Sequence, residues 1–196
     1  MNKNKQALKL GARILENLPD MSTNLMQELI DNPVELKRFL RGLCDSLSTS
    51  QIDSIIRINR SVRPVYPDWV TEIMHPELEN TGPLEYDATK LVEQLAPGQE
   101  DIVVGKKIYK YLKDNDLLST CIGLADLIEI QKKGIDFFRQ NWKDKAIFGW
   151  RSIVRFRYGN LNVPCLCEDG GEVVLVWYWV DNVWNASFPA LRFASN

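Results

Sequence analysis

The chain has 196 residues, 45% hydrophobic and 26% charged, which suits one core or a core with a small satellite and excludes a disordered polymer. A formal net charge of −2 excludes a whole-chain polyelectrolyte. The longest apolar-leaning run, Val173 to Val180, is eight residues against the roughly 20 that a membrane-spanning helix needs. Met1 to Leu10 lacks the apolar stretch of an export signal, so a cytoplasmic location is expected.

The first sixty residues carry a helical period. Leu8, Ile14, Leu15 and Leu18 precede a break at Pro19-Asp20, and Leu25, Met26, Leu29 and Ile30 resume the pattern. Asn32-Pro33 supplies a cap and a proline at the first helical position. Leu36, Phe39, Leu40, Leu43 and Leu47 form the next stripe, and Ser50 with Asp53 reads as a capping box for a fourth helix with Ile52, Ile55 and Ile56. From Arg63 to Asp87, five prolines and glycines (Pro64, Pro67, Pro76, Gly82, Pro83) interleave with Tyr66, Trp69 and Tyr86, the composition of an irregular connector.

Asp87 can cap a short helix through Leu91, Val92 and Leu95 that Pro97-Gly98 ends. Further helices are expected over Ile102–Lys113, with Val104, Ile108, Tyr111 and Leu112 inward, over Gly123–Lys133 up to Gly134, and over Ile135–Trp142. The period then changes to two. Phe148, Trp150, Ser152, Val154, Phe156 and Tyr158 alternate with a face holding Arg151, Arg155 and Arg157, and Gly159-Asn160 turns into Leu161–Cys167. Glu172–Val180 is apolar on both faces, as a central strand would be. Pro164 marks its own strand as an edge or a bulge, and Ala190–Phe193 can add a last strand.

These elements predict an α+β fold with a helical N-terminal lobe over 1–62, a proline-rich connector over 63–86, and an α+β unit over 87–196 in which helices pack on a three- or four-stranded antiparallel sheet, as separate units or one continuous domain.

No constellation of residues amounts to an active site. Cys44, Cys121, Cys165 and Cys167 are expected as free thiols, and with His75 as the one histidine they offer no metal-ligand spacing. A pairing of Cys165 or Cys167 with His75 would lack an activating third group. Glu72, Glu77, Glu79 and Glu85 have no regular spacing, which favours a solvated loop over paired catalytic carboxylates. No GxGxxG or GK[ST] pattern occurs. Neither catalytic residue, metal nor cofactor is therefore expected.

Two surfaces could bind. Arg151, Arg155 and Arg157, with Arg139, Lys143 and Lys145, give a local basic excess opposed only by Asp144 between Phe137 and Val163, and side chains at alternate strand positions can track phosphates while aromatics stack bases. Lys37, Arg38 and Arg41, and Arg57, Arg60 and Arg63, could extend such a surface, although a wet helix face explains them as well. Four of the six tryptophans fall in the last third, where core packing is the usual fate. Trp69, Tyr66 and Trp184 lie in loop-like contexts, where an exposed aromatic would mark a partner. The expected function is non-catalytic binding of a protein partner; the alternatives are a nucleic-acid-binding or regulatory module on the basic sheet face, and an enzyme with an unrecognised site near His75 and the acidic loop.

Overall fold

The computed structural model describes residues 53–194, with Gln27, Asp31, Asn32, Val34 and residues 36–38. The chain divides into two units, Met1–Gln51 and Ile52–Asn196. Of the first, Gln27, Asp31, Val34 and residues 36–38 are helical; the remaining expected helical stripes, with Cys44 and Arg41, lie outside the described residues.

The second unit is mostly sheet, which overturns the expected α+β fold with a helical lobe and a small sheet. Among the described residues eleven strands form sheets of two, seven and two strands. In chain order they are β1 (Ile55–Arg57), β2 (Val70–Ile73), β3 (Glu85–Asp87), β4 (Val92–Gln94), β5 (Val103–Val104), β6 (Ile147–Phe148), β7 (Val154–Phe156), β8 (Leu161–Asp169), β9 (Glu172–Trp179), β10 (Val183–Trp184) and β11 (Ala190–Arg192). Three α-helices, α1 (Gly105–Asp114), α2 (Leu124–Gln131) and α3 (Gly134–Trp142), fall between β5 and β6.

Several local expectations change for identifiable reasons. Ile55 and Ile56, expected in a helix, form β1 because these β-branched residues fit a pleat and find β3 as a partner, with Arg57 donating to Glu85 at 2.8 Å across the pair. The connector 63–86 lies within the second unit and supplies β2, whose Ile73 pairs with Val154. Asp87 does cap, accepting from Thr89 N–H, but the helix is a single 3-10 turn over Ala88–Lys90, and Val92–Gln94 instead pairs with β11. The supposed long strand 148–158 is broken by a 3-10 turn at Trp150–Ser152 into β6 and β7. The helix expected from Ile102 begins only at Gly105, because Val103 and Val104 pair with β10.

Strand β8 organises the large sheet. It pairs with β9 along its whole length, Asn162 facing Trp179 and Asp169 facing Glu172. Its opposite edge takes β7 at Leu161 and Asn162, then β6 at Cys165 and Leu166. Beyond β7 lies β2; beyond β6 lie β11, joined in parallel, and β4. Pro164 is thus central and not on an edge strand: it sits between the two pairings, where no N–H is needed, and its carbonyl still accepts from Gly149 at 2.9 Å. Conversely β9, expected as central, has one strand partner among the described residues, β8.

The sheet has a core on each face. Val163, Cys165, Val176 and Tyr178 join Trp150, Trp184, Ile108 and Leu112 on one side. Leu166 and Leu175 join Leu127, Ile130, Phe137 and Phe138 of α2 and α3 on the other. Side chains two apart on a strand share a face, so both faces of β9 are apolar although its edge is not central.

Gly105 begins α1 where a Cβ would meet the Trp184 indole and lie 2.6 Å from the Val180 carbonyl oxygen. Backbone and a buried tryptophan cannot retreat cheaply, so Gly105→Ala should destabilise the protein by about 1–3 kcal/mol. Gly159→Ala meets nothing within 4 Å, although its positive φ of 89° carries a smaller backbone penalty. Urea titration should rank the two in that order; an unchanged midpoint for Gly105→Ala would contradict the packing described.

Candidate functional site

The β8–β9 register fixes which backbone groups of β9 point away from the sheet. Val180 N–H donates to Leu161 carbonyl at 2.9 Å, so with Asn162 opposite Trp179 and each pair following in step the even residues Val174, Val176 and Tyr178 exchange hydrogen bonds with β8. Hydrogen-bonded and non-hydrogen-bonded pairs alternate in an antiparallel ladder. The N–H and C=O groups of Val173, Leu175, Trp177 and Trp179 therefore face outward.

Two of these outward carbonyls are capped. Gln131, the last residue of α2, donates its side-chain amide to the Val173 carbonyl at 2.9 Å, and Asn182 N–H donates to the Trp179 carbonyl at 3.1 Å. Between the caps, Leu175 and Trp177 each hold an N–H and a C=O with no partner among the described residues. Such a row of groups is a template for another strand unless it is covered or charged.

The side chains beside this edge are aromatic. Trp69 packs edge-on against both Trp177 and Phe156, with centroids 5.3 and 5.4 Å apart, and Tyr66 reaches Trp177 at 6.0 Å. This half-buried cluster covers the end of the sheet face that α2 and α3 leave uncovered. Trp179 and Tyr158 remain exposed, at 54% and 75%. Of the aromatics expected to face a partner, Tyr66 and Trp69 are half-buried beside the edge, whereas Trp184, at 1% exposure, belongs to the core. Sequence reading missed Leu175, Trp177 and Trp179 as an edge, since an alternating apolar pattern carries no mark of how many neighbours a strand has.

The basic residues do not share one surface. Arg151 is 1% exposed; it donates through Nε to the Cys121 carbonyl at 2.7 Å, with further bonds to that carbonyl and to Thr81 O. Arg155 pairs with Glu72 at 2.7 Å, Arg139 with Glu168, and Lys145 with Glu93 at 2.6 Å. Lys143 and Arg157 are exposed, and Arg157 lies over the Phe156 and Tyr158 rings at 5.5 and 5.2 Å. Arg139, Lys143 and Lys145 do meet in an open groove of about 710 Å³, but Asp144, Glu168 and Asp169 line it with them, so its charge is mixed.

Arg151 belongs to a buried polar centre absent from the sequence reading. Arg60, 7% exposed, grips the fully buried Asp126 with Nη2 to Oδ1 at 2.7 Å and Nη1 to Oδ2 at 3.2 Å. Asp126 also accepts from Gly123 N–H and from the Tyr86 hydroxyl. Both guanidinium groups come within about 3 Å of where a Gly82 Cβ would lie, so that loop has room only for glycine. Burial, then the Asp126 carboxylate, pushes the Tyr86 phenol far above its ordinary range.

The other candidates for chemistry disperse. His75 contacts the Tyr109 hydroxyl at 2.8 Å and Glu77 at 3.4 Å, and no thiol among the described residues. Glu72 and Glu85 pair with arginines, while the buried Glu79 accepts from Ser152 at 2.9 Å. Glu79 Oε2 and the Tyr66 hydroxyl have no hydrogen-bond partner among the described residues, yet burial, helped by the nearby Glu79, pushes the Tyr66 phenol well up. Burial also pushes the Cys121 thiol up to about 12 and raises Cys165 further. No group of three or more His, Cys, Asp or Glu is placed to hold a metal among the described residues.

No family model matches the chain, and neither a curated protein nor a solved structure does. No helix among the described residues is long and apolar enough to cross a membrane.

Two measurements check this placement. Arg151→Ala strands the Thr81 and Cys121 carbonyls and should cost about 3–5 kcal/mol, whereas Arg157→Ala should stay within about 0.5 kcal/mol; equal effects in denaturant titration would contradict the burial of Arg151. Thiolates are the reactive form, so a thiol reagent at pH 8 followed by peptide mass spectrometry should label Cys167 in preference to Cys121 and Cys165, with the difference vanishing in denaturant.

Proposed function

We propose that the protein is a non-catalytic binding module that engages a protein partner by adding a strand of that partner to the open edge of β9. One observation carries this reading: Leu175 and Trp177 present unpaired backbone donors and acceptors side by side, with the exposed Trp179 next to them. In this mode main-chain hydrogen bonds supply affinity and the alternate side chains supply specificity. A large aromatic near a desolvated edge is the usual kind of interface anchor.

A protein partner fits better than a nucleic acid because the basic residues are divided among a core position, three ion pairs and two separate exposed sites. Polyanion binding needs a continuous positive stripe. The dispersal of His75, the thiols and the acidic residues lends an enzymatic reading no constellation of groups. A cytoplasmic setting is part of the proposal, supported by the free thiols Cys121, Cys165 and Cys167.

Hydrogen exchange tests the edge directly. In the free protein the Leu175 and Trp177 amides should exchange at least about a hundredfold faster than those of Val176 and Tyr178, which donate to β8. A partner protein bound to wild type should slow the first pair and be lost on Leu175→Pro, which removes an outward N–H while sparing the β8 ladder, and on Trp179→Lys. Slow exchange of all four amides in the free protein would show the edge to be covered and end the proposal.

A further inference from the structure

We infer that the segment added to β9 is an antiparallel stretch of another protein with apolar side chains at three alternate positions and a basic residue immediately after the third. This inference rests on the strand addition proposed above and names what the same edge selects.

The caps set the length. Gln131 occupies the edge at the Val173 carbonyl, where the continuing backbone of an added strand would run, and the Asn182 turn closes the edge at Trp179. Pairing is thus confined to the span from Trp179 back to Val174. Antiparallel pairing is the stronger of the two arrangements per residue, so the partner enters beside Trp179 and leaves beside Val174.

Register then sets the side chains. Directly opposed residues share a face, so partner positions one, three and five, opposite Trp179, Trp177 and Leu175, lie on the aromatic face of β9. Apolar residues there cover Trp179, at 54% exposure, and extend the cluster of Tyr66, Trp69 and Trp177. Position six falls opposite Val174, on the other face, which also carries Glu172 and its cross-strand partner Asp169.

Charge sets the last residue. Asp169 and Glu172 are both exposed and make no ion pair among the described residues, although Arg139 stands close enough to pair with the neighbouring Glu168. A diagonal cross-strand neighbour lies roughly 7–8 Å away, within reach of a long side chain. A lysine or arginine at position six therefore has the free Glu172 carboxylate as its diagonal neighbour, with Asp169 one strand further on adding to the negative field, while a carboxylate there is repelled.

The test uses the full chain and three fluorescein-labelled synthetic peptides blocked at both ends. The first has the sequence Val-Thr-Val-Thr-Val-Lys between Gly-Ser flanks; the second moves the lysine to precede the first valine; the third replaces it with glutamate. Fluorescence anisotropy should show the first binding about fivefold more tightly than the second and more tightly still than the third. The preference should shrink in 0.5 M salt, roughly, as exposed pairs are screened, and vanish in an Asp169→Asn/Glu172→Gln variant that retains its circular dichroism spectrum. Equal binding of all three peptides, lost on Leu175→Pro, would overturn the charge and direction assignments and leave strand addition standing. Failure of every peptide to bind would overturn both. A wild-type dimer in analytical ultracentrifugation, dissociated by Leu175→Pro, would assign the edge to a second copy and overturn the inference.

Discussion

Strand β8 is hydrogen-bonded on both edges, to β9 along its whole length and to β7 and β6 in succession, and the placement of the other sheet elements follows from that double commitment. Its tolerance of Pro164 shows how tightly the constraint is met. A proline in a central strand ordinarily removes a ladder bond, but here the residue faces a non-hydrogen-bonded position toward β9 and the interval between β6 and β7 on the other side. The 3-10 turn at Trp150–Ser152 creates that interval and turns Arg151 inward to the Cys121 and Thr81 carbonyls.

The inward turn connects the sheet to the second organising element, the centre formed by Arg60, Asp126 and Arg151. Two arginines and a carboxylate at this depth would cost several kcal/mol in lost hydration if left unsatisfied. They are instead saturated by one bidentate pair, the backbone of Gly123, and carbonyls at Thr81, Pro83 and Cys121. The same bonds fix the loop around Gly82 and the start of α2. Since α2 ends at Gln131, which caps the Val173 carbonyl, the buried centre and the limit of the open β9 edge belong to one connected set of contacts.

Strand edges left this exposed are commonly short, charged or covered. In β9 the two ends of the outward row are closed and the middle is open, with an exposed tryptophan beside it and two free carboxylates near one end. The proposed binding role accounts for this arrangement without any catalytic group, and in that proposal specificity rests on alternate side chains and on end charge. In the aromatic cluster beside β9, Trp69 packs edge to face on Phe156 and Trp177, and Tyr66 lies tilted against Trp177, so the cluster fills space as well as presenting a surface.

What the sequence by itself determined were features governed by near neighbours. The stripe of α1 was legible because Ile108 and Leu112 recur at the helical period, and α2 and α3 were legible on either side of Gly134; the turns at Gly134 and Gly159 were legible because glycine accepts the positive φ found there; β8 and β9 were legible as strands from the change of period. Tertiary structure alone decided the rest. Val92 and Ile55 became strands because β11 and β3 lay beside them, Arg151 went inward because carbonyls distant in sequence awaited it, and Trp184 entered the core through β10. The open edge of β9 belongs to this second group. Glu172–Trp179 reads as apolar on both faces wherever it lies in a sheet, because side-chain alternation records which faces are covered, whereas edge exposure is a property of backbone groups common to every residue and depends only on which strands arrive.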